Sequence, residues 1–340
     1  MVEMPVNTKW ASALIGAFVL LAPPAEAGER LDAIKARGSL TCGVGANSPG
    51  FSRRDDKGAW SGFDIDLCRA IAAAIFGDAG KVSFKPIDTL PNFLSDADID
   101  LVFRGLTWTF GRELRAPLRF GPIVLYDGET FLVKKSANIK DIAQLSGKTI
   151  CVSQDAEFLP NLRYYFRTHN LTLKAVVTEK RANSAEAFFA GRCEAMTADA
   201  SELVEAVLGD APHPDDYTIL PQQITKEPLA PLMRKGDEQF LDAVRWAIFA
   251  LIDAEELGID SANVERMRAS DNPDIKYFFA APPPGSSGID AAWTFAIVRN
   301  LGNYGEIFER HLGAKSPAKL ARGLNRLWTD GGLMYAPPVR

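Results

Sequence analysis

The stretch Trp60-Ser61-Gly62-Phe63-Asp64-Ile65-Asp66-Leu67-Cys68 decides the fold. It begins a helix whose apolar stripe runs through Leu67, Cys68, Ile71, Ala72, Ile75 and Phe76, the spacing of one helix face. Before it lie a short apolar run, Leu40 to Val44, and a loop rich in turn formers, Gly45, Pro49, Gly50 and Gly58. The reading is a strand, a long exposed loop, then a helix. Open α/β sheets hold their ligands in such loops, at the carboxyl ends of strands.

The same alternation continues along the chain. Strand-like runs recur at Leu40–Val44, Val82–Phe84, Leu101–Phe103, Thr130–Val133, Thr149–Val152 and Ala175–Val177, with helical stretches such as Phe158–Arg167 and Ser184–Ala190 between them. The pattern predicts α/β architecture with parallel or mixed sheets flanked by helices. A chain of 340 residues predicts more than one compact unit. Ser136–Ser146 reads as a connection, and Gly147-Lys148-Thr149-Ile150-Cys151-Val152 starts a second unit that runs to about Gln223. Lys226-Glu227-Pro228-Leu229-Ala230-Pro231-Leu232-Met233-Arg234 reads as a return to the first unit. The next helix, Asp237–Leu257, carries a stripe at Phe240, Val244, Ala247, Ile248, Leu251 and Ile252 and stops at Gly258. Pro282-Pro283-Pro284-Gly285-Ser286-Ser287-Gly288 links this to a mostly helical C-terminal piece. The expected organisation is a signal segment at 1–27, the first part of lobe 1 at 28–134, and lobe 2 at 135–223. Lobe 1 returns at 224–281, and a linker with its extension fills 282–340.

The N-terminus reads as an export signal. Lys9 precedes an apolar run from Trp10 to Leu21, followed by two prolines and Ala25-Glu26-Ala27. An uncleaved anchor is the alternative, but the run is too short to span a bilayer comfortably. Export predicts a periplasmic protein beginning near Gly28. The net charge of −5 shows no basic excess of the kind that nucleic-acid binding needs. Four cysteines in an exported chain predict two disulfides, with three possible pairings. Pairing by neighbourhood gives Cys42–Cys68 and Cys151–Cys193. A zinc site is the alternative, but close C-x-x-C spacing is missing and the histidines are scattered at 169, 213 and 311. No metal or cofactor is expected.

Two places offer binding chemistry. Thr107-Trp108-Thr109-Phe110-Gly111-Arg112 follows the strand Leu101–Phe103 and Gly105. Hydroxyls, free N–H groups and an arginine suit a carboxylate, which a guanidinium grips through two parallel bonds. A surface arginine closing a loop is the plain alternative. Asp199 ends Glu194-Ala195-Met196-Thr197-Ala198 and precedes a helix through Val207. It either caps that helix or meets an ammonium group.

The G-F-D-I-D-L block at Gly62–Leu67 resembles the start of the amino-acid-binding family of periplasmic solute-binding proteins. T-x-T-x-x-R at Thr107–Arg112 is similar to that family's carboxylate-gripping segment, and G-R-C-E-A-M-T-A-D at Gly191–Asp199 to the segment ending in its ammonium-binding aspartate. Trp108, the four cysteines, Lys226-Glu227-Pro228-Leu229, Asn303-Tyr304-Gly305-Glu306-Ile307-Phe308-Glu309-Arg310 and Tyr335-Ala336-Pro337-Pro338 resemble the broad-specificity L-amino-acid-binding branch that feeds ABC importers. The similarity spans nearly all of the chain after the signal. It implies two α/β lobes joined by two crossing strands, closing on the ligand by hinge bending, and a monomer that delivers to an ABC permease. By residue, it implies that the Gly105 carbonyl and Asp199 take the ligand's ammonium. Thr107 and Arg112 hold the carboxylate, and Phe51 faces the side chain.

One departure is plain. Where the family has a Gly-Thr-Thr turn at a helix start, this chain has Asp155, Ala156 and Glu157. The segment Asp88–Asp96 is also shorter than in the branch. If Asp155 and Glu157 face the cleft, their charge favours basic amino acids over glutamate and aspartate. If Asp155 caps the helix and Glu157 points to solvent, no such preference follows. The resemblance also implies a second class of function, because cyclohexadienyl dehydratases share this fold and use a glutamate as general acid. Glu157 is the candidate for that role. A sensor domain is a third reading.

Overall fold

The computed structural model describes residues 29–87, 89–115, 117–154, 157–283 and 288–340. The expected signal segment and the middle of the Pro282–Gly288 link lie outside them. In chain order the strands are β1 Leu40–Val44, β2 Arg53–Arg54, β3 Trp60–Ser61, β4 Val82–Pro86, β5 Leu101–Phe103, β6 Leu118–Phe120 and β7 Leu125–Asp127. They continue as β8 Glu129–Lys134, β9 Thr149–Ser153, β10 Lys174–Thr178, β11 Ala195–Asp199, β12 Tyr217–Ile219, β13 Glu227–Leu229 and β14 Leu232–Arg234. The helices are α1 Glu29–Arg37, α2 Phe63–Phe76, α3 Leu90–Ser95, α4 Phe110–Arg115, α5 Phe158–Thr168 and α6 Arg181–Phe189. After them come α7 Ala200–Gly209, α8 Glu238–Glu256, α9 Val264–Met267, α10 Pro273–Phe278, α11 Trp293–Leu301 and α12 Tyr304–His311.

Two mixed five-stranded sheets define two lobes. The first runs β4-β1-β5-β14-β6 and the second β10-β9-β11-β8-β12. In the first, β1 is parallel to β4 and β5, whereas β14 is antiparallel to β5 and β6. In the second, β9 is parallel to β10 and β11, and β8 runs antiparallel to β11 and β12. Every residue of β1 and β5 is buried. Helices cover both faces of a largely parallel strand, so its sequence reads as an unbroken apolar run. Between the sheets, β7 and β13 pair as a two-stranded ribbon, Leu125 opposite Leu229 and Asp127 opposite Glu227.

One placement differs from the sequence expectation. Glu129–Lys134, assigned above to the first lobe, pairs wholly within the second sheet. Thr130–Val133 reads as a strand in sequence, but its pattern does not say which sheet receives it.

Gly62 shows why the opening stretch matters. Its φ is +136°, and a Cβ there would run into the Phe51 carbonyl. The first N–H groups of α2 find backbone acceptors instead of a capping side chain: Phe63 donates to Gly50 and Asp64 to Phe51, at 2.9 and 3.0 Å. The loop before α2 is thereby sewn to the helix start, which holds the Phe51 ring edge-on to Phe63 at 6.2 Å. Disulfides join Cys42 to Cys68 and Cys151 to Cys193, the neighbourhood pairing, and remove the zinc alternative. Each lies within one lobe.

The C-terminal piece is not an appendage. α11 and α12 pack on α2 and α8. The Tyr304 hydroxyl donates to the Val124 carbonyl at 2.9 Å, and Arg322 forms an ion pair with Glu255 at 2.8 Å. Asn325 accepts from the Tyr126 N–H at 2.6 Å and donates to the Tyr126 carbonyl at 3.1 Å, along the free edge of β7. Lys319 pairs with Asp215, beside β12 of the second lobe.

Two outcomes follow for stability. Replacing both Cys42 and Cys68 by alanine should lower unfolding free energy by about 3 to 4 kcal/mol, the loop-closure value for this separation, read by urea titration. Gly62→Ala should fail to fold or lose more than about 2 kcal/mol, since backbone must move to admit the Cβ.

Candidate functional site

Of the expected site residues, Phe51 and Gly105 share one cavity, on the first lobe beside the crossing strands. Phe51, Phe63, Asp64, Phe103, Arg104 and Gly105 line a very small cavity of about 10 Å³. Gly105 sits directly after β5 with φ +58°, and no atom lies within 4 Å of where its Cβ would be. The next residues run along the return crossing. Thr107 bridges to Leu229, and the Trp108 N–H donates to the Pro228 carbonyl at 2.8 Å. The Trp108 indole stacks on Phe120 with ring centres 5.8 Å apart. Arg112 turns back through α4 to donate to the Thr107 carbonyl at 2.9 Å. Its side chain stands exposed at the rim, with four of five guanidinium donors unused by that bond.

Asp199 ends β11 and occupies the N-cap position of α7, yet its side chain makes no capping bond. The Ser201 N–H goes to Asp127 instead, at 3.2 Å. The plain capping reading of Asp199 is therefore replaced by one in which Asp127 caps the helix from the hinge ribbon. Burial first, and then the charges of Asp127, Glu202, Glu227 and Glu129, together raise the Asp199 pKa to about 9. Burial likewise lifts Asp127 to about 6 and Glu129 to about 8. Glu129 accepts from the Thr197 hydroxyl at 2.9 Å, while its other oxygen has no hydrogen-bond partner.

Lobe contact is direct. Glu205 on α7 is hydrogen-bonded to Ser48 of the first-lobe loop. A Cβ on Gly50 would meet Leu208 and Val204 of α7 at 3.0 and 3.1 Å. Arg181 pairs with Glu205 and Glu202 at 3.4 and 3.8 Å.

The Asp155-Ala156-Glu157 turn is only partly placed. Asp155 and Ala156 lie outside the described residues. The Glu157 side chain is exposed at the start of α5 and makes no capping bond. Four charged residues at the cleft escaped sequence reasoning: Asp64, Arg104, Asp127 and Glu129. Their one sequence signal is a charge inside or beside an apolar strand or helix start, which a satisfied buried ion produces equally well.

Two mixed-sheet lobes, a ribbon crossing twice between them and a charged, aromatic-lined cavity beside that ribbon define a two-lobed ligand-binding protein. The sequence pattern of the bacterial extracellular solute-binding proteins, family 3, matches residues 40–258, and the chain belongs to that family. It is 43% identical over 342 residues to a general L-amino acid-binding periplasmic protein of Rhizobium johnstonii, covering 98% of this chain and all of the relative. It is 40% identical over 336 residues to a glutamate/glutamine/aspartate/asparagine-binding protein of Rhodobacter capsulatus, covering 97% and 99%. A periplasmic binding protein from Brucella ovis, solved with glutathione bound, superposes with a TM-score of 0.77 at 44% identity, covering 91% and 99%.

The buried acids set the pH dependence. Asp127, Glu129 and Asp199 hold their protons more tightly in the folded chain than in the unfolded one. Stability from this source is complete below about pH 4, the ordinary carboxylate value. It is lost as pH rises through the folded values, from about 6 to about 9. Ligand-free protein should therefore melt higher at pH 5 than at pH 9, and Glu129→Gln should flatten that slope. A midpoint that climbs with pH across this window would show these carboxyls to be well solvated.

Proposed function

We propose that this protein captures an amino acid, or a related molecule with neighbouring amino and carboxylate groups, and delivers it to an ABC importer. The observation that carries the reading is Asp199: a half-buried carboxyl at the end of β11 whose expected capping role is already filled by Asp127. An ammonium supplies the charge that this carboxyl lacks. The Gly105 carbonyl adds a second acceptor. Thr107 and Arg112 take the ligand's carboxylate, and Phe51 packs on the side chain. The lobes comprise the elements α1 to β7 and β13 to α10 on one side, and β8 to β12 on the other. Capture works by their closure around the bound molecule.

The same reading makes the protein a periplasmic monomer, freed of residues 1–27, that docks on a membrane permease and does no chemistry. The dehydratase reading needs a glutamate inside the pocket, and the exposure of Glu157 favours the binder. Calorimetric titration with a panel of L-amino acids tests the proposal. Arg112→Ala should cost about 2 to 5 kcal/mol of binding, because the ligand carboxylate loses its charge partner. Unchanged affinity in a variant with native circular dichroism would remove Arg112 from the site. No binding by any amino acid would remove the proposal.

A further inference from the structure

The crossing ribbon is one attachment between the lobes, and the loop before α2 makes another. Ser48 and Ser52 bridge as an antiparallel pair, exchanging backbone bonds of 2.8 and 2.7 Å. The Ser52 hydroxyl donates to the Gly45 carbonyl at 3.0 Å. Because the Gly50 and Phe51 carbonyls also hold the start of α2, residues 48–52 form a stiff peg on the first lobe. That peg sits on α7 of the second lobe. Glu205 accepts from the Ser48 hydroxyl, and Arg181 holds Glu205 within its own lobe. The Pro49 ring reaches within 3.3 Å of where a Gly209 Cβ would stand. Gly50 leaves no room for a Cβ against Val204 and Leu208. A contact this close fits one angle between the lobes. Turning the second lobe about the ribbon either presses α7 into the peg or draws it off and exposes Val204 and Leu208. Capture as proposed above requires a turn: Arg112 stands exposed on the first lobe, bonded to its own Thr107 carbonyl, while Asp199 belongs to the second. The peg contact opposes that turn in either direction.

We propose that the peg at Ser48–Gly50 and its seat on α7, formed by Val204, Glu205, Leu208 and Gly209, are a catch that holds the lobes at the angle seen here, and that its release scales the affinity for every ligand by one common factor. The proposal rests on the amino-acid reading of the site. A ligand binds the turned form, so the apparent affinity is the intrinsic one reduced by the fraction of molecules whose catch is released. No catch residue has a ligand contact in that reading, so the factor is blind to the ligand's side chain. Phe51, the next residue of the same loop, is the one that faces the side chain. Capture strength and selection are thus set by neighbouring residues through different contacts.

The test is calorimetry of the whole protein with L-glutamine, L-glutamate, L-alanine, L-leucine and L-arginine. Ser48→Ala with Pro49→Ala removes the bond and the ring contact at partly exposed loop positions. Each amino acid that the unmodified protein binds should then bind at least about three-fold tighter, by one shared factor, the scale of a single lost hydrogen bond. Pro49→Cys with Gly209→Cys fastens the catch covalently. Gly209 ends α7 without a positive φ, so a side chain there does not strain the backbone. Once peptide mapping shows the bridge, this protein should bind each amino acid at least about ten-fold more weakly than Pro49→Ser with Gly209→Ser, whose side chains cannot join. The alanine variant needs no bridge to form. Affinities that stay unchanged in the alanine variant, that shift by different factors for different amino acids, or that survive the bridge overturn the catch and leave amino-acid capture intact. Failure of all five to bind the unmodified protein overturns the amino-acid reading itself.

Discussion

Asp64, Asp127, Glu129 and Asp199 lose their water where the two lobes meet, and that loss is the largest influence on the charge of each. Partial compensation comes from within: the Ser201 N–H for Asp127 and the Thr197 hydroxyl for Glu129. Asp199 has no such partner in its own helix. Drying these carboxyls therefore carries an electrostatic cost, and under the proposed function a ligand that brings positive charge to Asp199 would remove part of it. A molecule shifts a conformational equilibrium only by its differential affinity for the two states. Here the difference is built from carboxyls that are costly to dry alone and favourable to dry with a cation.

Much of the frame was legible along the chain. β1 and β5 fall on the apolar runs that predict them, and α8 follows its stripe from an Asp237 cap. Local signals sufficed there because each element buries a face that its own residues define. The disulfides were legible for a related reason: Cys42–Cys68 joins β1 to the helix that follows it, and Cys151–Cys193 joins β9 to the residue entering its neighbour β11. Long-range choices were not legible. Nothing local distinguishes β8 from a strand of the first sheet, and nothing near Asp127 says that it will cap a helix starting over seventy residues later. Arg104 illustrates the limit at the cleft. A lone arginine after an apolar strand is commonplace, and nothing local says that α2 will bring the Asp64 carboxyl to the same cavity.

The C-terminal piece changes how the hinge is understood. Two crossing strands with a single pairing between them are a slight structure to carry the relative motion of two lobes. In this chain the ribbon does not stand alone. Tyr304 reaches the segment entering β7, and Arg322, tied to Glu255 of α8, lies over the rings of Tyr304 and Phe308. The first lobe and the extension thus form one packed body that grips the crossing from outside, with Lys319 reaching the second lobe at Asp215.

Asn325 gives that grip a second consequence. A two-stranded ribbon has two open edges, and each presents unpaired N–H and C=O groups to any passing strand. On β7 the Asn325 carboxamide occupies both groups of Tyr126. A side-chain amide has the same donor and acceptor as a peptide unit but no chain beyond it, so pairing stops there. On the other side of the ribbon Thr107 and Trp108 lie along β13, so both edges at this point of the crossing are closed to a further strand.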